Sequence, residues 1–247
     1  ITRDIKNIFV GISKKFLFLC FLRGISFVLM QIFYYISIIN MNFATATTLT
    51  FSSPIFIVVL SMLVLKEKIG LFRWSAIFIG FGGVLFIMNP TSDLFSYISI
   101  LPLLAALCWA ISNIVLKFIP EDISSVKINF YSINFSYIGS LIILLFSSDF
   151  SPVEDTFYWL LLILIGILGG VASILFSFAY RVVSPSTLAP FEYLGIPSSF
   201  ILGWIFFYEA PIEQLFPGVL GIVAAGFIII WREKKLSIGK IVSNKIH

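Results

Sequence analysis

Two ionisable side chains sit where the surrounding residues offer them no water. Arg23 lies in the run Phe16 to Ile38 and Glu192 in the run Ser184 to Tyr208, and neither run carries another charge. A charge inside an apolar helix is costly, so such a group defaults to a functional reading with a named partner. Arg23 stands seven residues into its run, about 10 Å deep. Glu192 stands eight residues into its own, about 12 Å deep. Opposite sign and similar depth predict that the two face a common central cavity and are coupled, directly or through a substrate. Arg23 also admits a plainer reading, in which its long side chain snorkels to the interface. Glu192 is too short for that.

Other polar groups fall at helical spacing around these two. Arg23, Phe27, Gln31 and Tyr34 share one helix face, as do Trp109, Asn113 and Lys117, and again Ser173, Ser177 and Tyr180. Glu192 and Ser199 fall on one face two turns apart. Thr45, Thr47, Thr48, Thr50, Ser52 and Ser53 make half of one apolar run unusually polar. The bland reading is interhelical packing, where a hydroxyl contributes roughly 1 kcal/mol, and for any single Ser or Thr it is preferred. Stripes that mix aromatic, amide and charged groups favour a cavity. They supply stacking surface, amide hydrogen bonds and one charge of each sign. That combination suits an amino acid or a nucleoside-like cation with a carboxylate. The candidate substrate-binding set is therefore Arg23, Phe27, Gln31, Tyr34, Thr50, Ser53, Trp109, Asn113, Ser173, Ser177, Glu192 and Ser199.

Other chemistries find little support. The one His is the terminal His247, and no His, Cys, Asp and Glu cluster has metal-ligand spacing. Cys20 and Cys108 lie in apolar runs and read as small fillers. There is no Gly-x-Ser-x-Gly and no pair of intramembrane acids, which disfavours an enzyme. No cofactor is implied.

The elements that must position these groups follow from composition. Hydrophobic residues make up 60% of the chain and charged residues 11%, more apolar surface than a soluble domain of this size can hide. Lipid is the solvent. A spanning helix needs about 20 apolar residues, and eight segments qualify: Phe16 to Ile38, Phe43 to Leu65, Leu71 to Met88, Ile98 to Lys117, Val126 to Ser147, Phe157 to Tyr180, Ser184 to Tyr208 and Gln214 to Trp231. Continuous runs without period-two alternation favour helices over a barrel. Fifteen of the sixteen Lys and Arg fall in alternate connections: Ile1–Lys15, Lys66–Arg73, Lys117–Lys127, Arg181 and Arg232–Lys245. The connections opposite hold Asp93, Asp149, Glu154, Asp155, Glu209 and Glu213 but no base. That one-sidedness puts the basic segments and both ends in the cytoplasm. The net charge of +4 reports this loop bias, and nucleic acid is a poor partner. The first residue is Ile1, and the stretch to Lys15 reads as a cytoplasmic loop leading into a helix, as in a fragment missing its N-terminus.

An internal repeat is visible. Ser53-Pro54-Ile55-Phe56 precedes Glu67 as Pro197-Ser198-Ser199-Phe200 precedes Glu209, and each Glu leads to a glycine-bearing apolar run. One Glu follows a crossing on the basic side and the other a crossing on the opposite side, the mark of an inverted repeat. Pro54 and Pro197 each favour a kink at repeat-related positions. The glycines in Leu71–Met88 and Gln214–Trp231 are expected to allow close helix packing.

At these residues the sequence resembles the drug/metabolite transporter superfamily, and in particular carriers with EamA domains. The matching pieces are Leu22-Arg23-Gly24, Ser53-Pro54-Ile55-Phe56 through Leu65-Lys66-Glu67-Lys68, Gly80-Phe81-Gly82-Gly83-Val84, Ala105-Ala106-Leu107-Cys108-Trp109-Ala110 and the Ser184 to Glu209 block. The segment Thr187 to Leu194 looks somewhat like the matching segment of rickettsial S-adenosylmethionine uptake carriers. The resemblance implies an all-α fold of ten helices in two inverted five-helix halves, with the eight helices here as its third to tenth. The chain then divides into a cytoplasmic loop (1–15), the end of a first repeat (16–88), a second repeat (98–231) and a cytoplasmic tail (232–247). It also implies that five of the six cavity-lining helices carry the stripes above.

The resulting expectation is an inner-membrane carrier that moves a small polar or zwitterionic metabolite by alternating access, S-adenosylmethionine being one candidate. Its partners are the small-molecule substrate and the bilayer, and a homodimer is left open. The alternatives are a proton-coupled multidrug-type exporter using Glu192, a non-transporting membrane scaffold and an intramembrane enzyme.

Overall fold

The computed structural model of the protein describes residues 12–41, 43–88, 97–146, 155–198, 201, 205, 216–228 and 230–232. All regular structure among the described residues is helical. In chain order α1 is Lys14–Asn40, α2 Phe43–Thr50, α3 Ser53–Val64, α4 Leu71–Met88, α5 Ile100–Val115, α6 Ser125–Phe146, α7 Thr156–Val182 and α8 Pro185–Leu188. A last apolar helix, α9, is Gly218–Arg232. Short 3-10 turns at Tyr97–Ser99 and Leu116–Phe118 flank α5, and a longer one, Ala189–Leu194, follows α8.

Among the described residues, five spans are long and apolar enough to cross a membrane: Lys14–Asn40, Thr45–Val64, Tyr97–Phe118, Ser125–Leu145 and Thr156–Val182. Leu71–Ile87 and Gly218–Arg232 are shorter apolar helices, matching the two expected runs nearest the lower limit. The run Ser184 to Tyr208 is not one helix among its described residues. Within Ser184 to Tyr208 the described residues give a four-residue α-turn, a six-residue 3-10 stretch and a further helical turn to Ser198. Pro190, near the start of the 3-10 stretch, accounts for the break, since it removes a backbone donor, and hydropathy alone could not register it.

The chain forms two compact units. The first comprises Ile1–Gln31 and Ile111–Ser184, the second Ile32–Ala110 and Pro185–His247. In the first, α6 and α7 pack together with the opening turns of α1. Gly24 lies so close to α6 that an added Cβ would meet Ser132 O at 2.6 Å. Phe16 packs edge-on against Tyr131 and Phe21 against Phe135. The Arg181 guanidinium donates to the carbonyls of Ile123 and Pro120, and Lys117 Nζ donates to Arg181 O at 2.8 Å, which pins the turn ahead of α6. α7 shows how lipid inverts the usual sorting of residues. Leu160, Ile163, Ile165 and Leu168 are exposed, while Ser177 and Tyr180 are buried. Phe157, Tyr158 and Trp159 at its start form the kind of aromatic collar favoured at a membrane interface. Asp155 caps the same end, accepting from Phe157 N at 2.9 Å.

The second unit holds the other elements. α2 and α3 make one span interrupted at Phe51 and Ser52. Pro54 causes the interruption, because it has no N–H and its ring excludes the carbonyl of Thr50. Ser52 O then accepts from Ile55 N at 2.9 Å and Phe56 N at 3.3 Å. The core of this unit is Val84, Ile87, Tyr193, Ile196 and Ile222, with Phe51, Phe81 and Val219 packed on it. α4 and α9 cross backbone to backbone. A Cβ at Gly83 would lie 2.5 Å from Gly218 O, and one at Gly218 would strike Gly83 O and Ile87. The glycines thus do the packing expected of them, with the exception of Gly82, which faces open space.

Candidate functional site

In the first unit the chemistry gathers around Arg23, which is 8% exposed. Its side chain does not snorkel. Nη1 donates to Asn129 Oδ1 at 3.1 Å and Nη2 to Ser177 Oγ at 2.9 Å. Asn129 Nδ2 donates to Ser125 O at 2.9 Å and to Ser177 Oγ at 2.8 Å, and Ser173 Oγ donates to Asn129 Oδ1 at 2.7 Å. Ser177 Oγ donates to Ser173 O at 2.8 Å. The amide of Asn129 has therefore used both donors and both lone pairs, and the hydroxyl of Ser177 its proton and both lone pairs. The network is saturated and electrically neutral apart from the guanidinium. Arg23 Nε has no partner. Beside it lies a cavity of about 20 Å³ lined by Arg23, Gly24, Phe27, Ser112, Ser132, Ile133, Ser136 and Ser173.

In the second unit the chemistry gathers around Glu192, midway along the 3-10 stretch Ala189–Leu194. Trp109 Nε1 donates to one carboxylate oxygen at 2.9 Å, and Ser53 Oγ donates to the other at 3.0 Å. Both donors prefer an ionised acceptor. The break at Phe51 and Ser52 sets Ser53 at the head of α3, and the 3-10 geometry sets the direction of Glu192, so both prolyl interruptions shape one site. Tyr193, the next residue, is fully buried, and Gly80 lets its ring approach α4. A separate ionic group lies in the same unit. Ser186 Oγ donates to Glu67 Oε2, Arg73 Nη1 donates to Ser186 Oγ at 2.8 Å, and Arg73 stands 3.9 Å from Glu67. Lys66, at φ 56°, takes a left-handed conformation that is costly for a non-glycine residue. Glu67 N then bonds Ser61 O at 3.1 Å.

The structure thus joins Arg23 with Ser177, and through Asn129 with Ser173. It joins Glu192 with Ser53 and Trp109. Phe27 lines the Arg23 cavity. Asn113 is buried in the first unit, and Gln31 is half-buried there. Tyr34 Oη lies 3.1 Å from Thr47 Oγ1, a tie between α1 and α2, and Thr50 Oγ1 donates to Ala46 O of its own helix at 2.9 Å. Ser199 lies outside the described residues. Arg23 and Glu192 belong to different units, and the partners shown for each are neutral side chains of its own unit. Sequence reasoning missed Asn129 as the hub. The signal was present: Ser125, Asn129, Ser132 and Ser136 step by four, three and four along one apolar run, the same spacing used for the other stripes.

A model of the EamA-like transporter family matches residues 3–89 and 96–231. A riboflavin transporter of Vibrio cholerae is 32% identical over 188 residues, which cover 76% of this chain and 62% of that protein. An S-adenosylmethionine uptake transporter of Rickettsia bellii is 28% identical over 197 residues, covering 80% and 67%. The chain thus spans 62% and 67% of the lengths of these two curated relatives. A solved crystal structure shares the fold with a TM-score of 0.74 at 16% identity, covering 92% of this chain and 81% of that one.

Proposed function

The chain belongs to the EamA-like transporter family, and we propose that it moves a small polar or zwitterionic metabolite across the bacterial inner membrane by alternating access. The observation that carries this reading is the seat of Glu192. A carboxylate within an apolar run is held by an indole N–H and a hydroxyl, on a stretch where the helix is broken. Broken helices inside a membrane are tolerated where they line a cavity, and carriers bind substrate at such breaks. The likeness to an S-adenosylmethionine uptake transporter supports a zwitterionic, nucleoside-like substrate, and that to a riboflavin transporter supports a flat heterocycle that aromatic side chains can stack on. The proposal includes the architecture of two inverted five-helix halves, with residues 16–88 and 98–231 from the first and second, and cytoplasmic basic segments. Arg23, Phe27, Gln31, Tyr34, Thr50, Ser53, Trp109, Asn113, Ser173, Glu192 and Ser199 stay as proposed substrate contacts, and Ser177, whose hydroxyl is saturated, is proposed to act through Arg23.

The experiment is uptake of labelled S-adenosylmethionine and riboflavin by cells producing the chain, against cells producing Glu192→Gln. Saturable uptake of either, lost in the variant, supports the reading. No uptake of these or of any amino acid in a panel would sink it. A second reading, the proton-coupled exporter, draws on the same carboxylate. It predicts that collapsing the pH gradient stops transport, whereas Glu192 as a substrate contact alone does not require the gradient.

A further inference from the structure

Among the described residues of its own unit, nothing supplies a counter-charge for Arg23. A guanidinium offers five N–H donors, and the two hydrogen bonds it makes both go to neutral groups, Asn129 Oδ1 and Ser177 Oγ. Those two groups are saturated by their other bonds, so they cannot take up the donors that remain. No carboxylate among the described residues of the unit pairs with it. Arg23 Nε is a buried atom without a hydrogen-bond partner, Ser132 Oγ has only the weakly bonding thiol of Cys20 beside it, and Arg23 and Ser132 line the same cavity. At about 20 Å³ the space exceeds the ~10–15 Å³ that one water-sized probe needs. A water there would meet the hydrogen bonds but would leave the charge unmatched, which is costly in a low-dielectric interior.

We propose that this pocket seats one small anionic group of the carboxylate type, bound by the free guanidinium N–H groups of Arg23 and the hydroxyl of Ser132. The group comes either from a free anion or from the transported substrate, and the second source rests on the carrier reading above. The two relatives differ on this point of chemistry: S-adenosylmethionine carries an α-carboxylate, and riboflavin carries none. If the substrate supplies the anion, the pocket selects the first class.

The test is thermal unfolding of the purified chain in a carboxylate-free buffer at fixed ionic strength, titrated with formate, the smallest carboxylate. A ligand that binds only the folded state raises the melting temperature saturably. Formate should do so for the unaltered chain. Arg23→Gln should raise the formate concentration for half-maximal effect by at least about tenfold, the loss expected for a charge-assisted hydrogen bond. Ser132→Ala keeps the cation and the fold, and should raise it about threefold to tenfold. The absence of a saturable shift, or an equal shift in Arg23→Gln and the unaltered chain, overturns the pocket. The source is then read by competition. If S-adenosylmethionine suppresses the formate effect and its decarboxylated analogue does not, the substrate supplies the anion. If neither competes, a free anion fills the pocket and the substrate assignment falls. Formate binding in a chain that transports nothing would uphold the pocket while the carrier reading fails.

Discussion

Gly82 and Gly83 are neighbours on α4 with opposite surroundings, so one substitution at each isolates a single physical effect. An alanine Cβ at Gly83 would sit 2.5 Å from Gly218 O and 3.1 Å from both Ile222 N and Ile222 Cγ1. Two of those three obstacles are backbone atoms, which cannot turn aside as a side chain can. The helices must therefore separate, and Ile87, Val84 and Ile222 lose contact around them. Overpacking of this kind costs about 1–3 kcal/mol, and the rigid obstacle points to the upper half of that range. At Gly82 nothing lies within 4 Å of the added methyl. Both substitutions gain the same helix propensity, up to ~1 kcal/mol, which cancels when the variants are compared with each other. Gly83→Ala should thus be about 2–3 kcal/mol less stable than Gly82→Ala, read as the difference in unfolding free energy by denaturant titration in micelles. Gly218→Ala should behave like Gly83→Ala, and the double variant should lose less than the sum, because helices already parted accept the second methyl more easily. Equal stability of Gly82→Ala and Gly83→Ala would refute the crossing of α4 on α9 as described.

The remaining predictions concern the polar groups. Trp109→Phe and Glu192→Gln should each weaken transport, and a double-mutant cycle should show coupling of about 1.5–3 kcal/mol; a coupling near zero would mean that the indole does not hold the carboxylate. Ser186→Ala removes the hydroxyl that joins Glu67 to Arg73 and should cost about 1–2 kcal/mol, with faster amide exchange at Ser186, Thr187 and Leu188; unchanged exchange there would leave the ionic group without a role in holding α8. On a background lacking Cys20 and Cys108, Asp155→Cys should be labelled from outside intact cells and Asp122→Cys spared, and the opposite pattern would overturn the proposed orientation. Arg23→Ala and Glu192→Ala should each impair uptake, and if the two groups are coupled through a substrate the double variant should be less damaged than the sum; strictly additive losses would show that the two charges serve the cycle independently.

What could be read from the sequence was whatever a lipid solvent makes costly. Arg23 and Glu192 stood out because a charge in an apolar run needs a reason, and each proves to be held by specific polar partners. Pro54 announced the break in its span because a missing donor is a local fact. Asn129 escaped notice for the complementary reason. It is uncharged, and its role depends on which residues of α1 and α7 face it, a tertiary fact that no spacing along α6 contains. The pair Gly82 and Gly83 makes the same point, since sequence marked both as packing residues and only the partner helix decides which of them packs. The 3-10 stretch at Glu192 was hidden because hydropathy averages over a helix and its interruption alike. In a soluble protein, polarity marks the surface, and the buried exceptions are few. Here Leu, Ile and Val cover α7 while Ser177 is fully buried, so serines and an amide at helical spacing carry the information that an apolar stripe carries elsewhere. The residues that hold Arg23 and Glu192 are then the modest ones, and charge only says that a partner is needed.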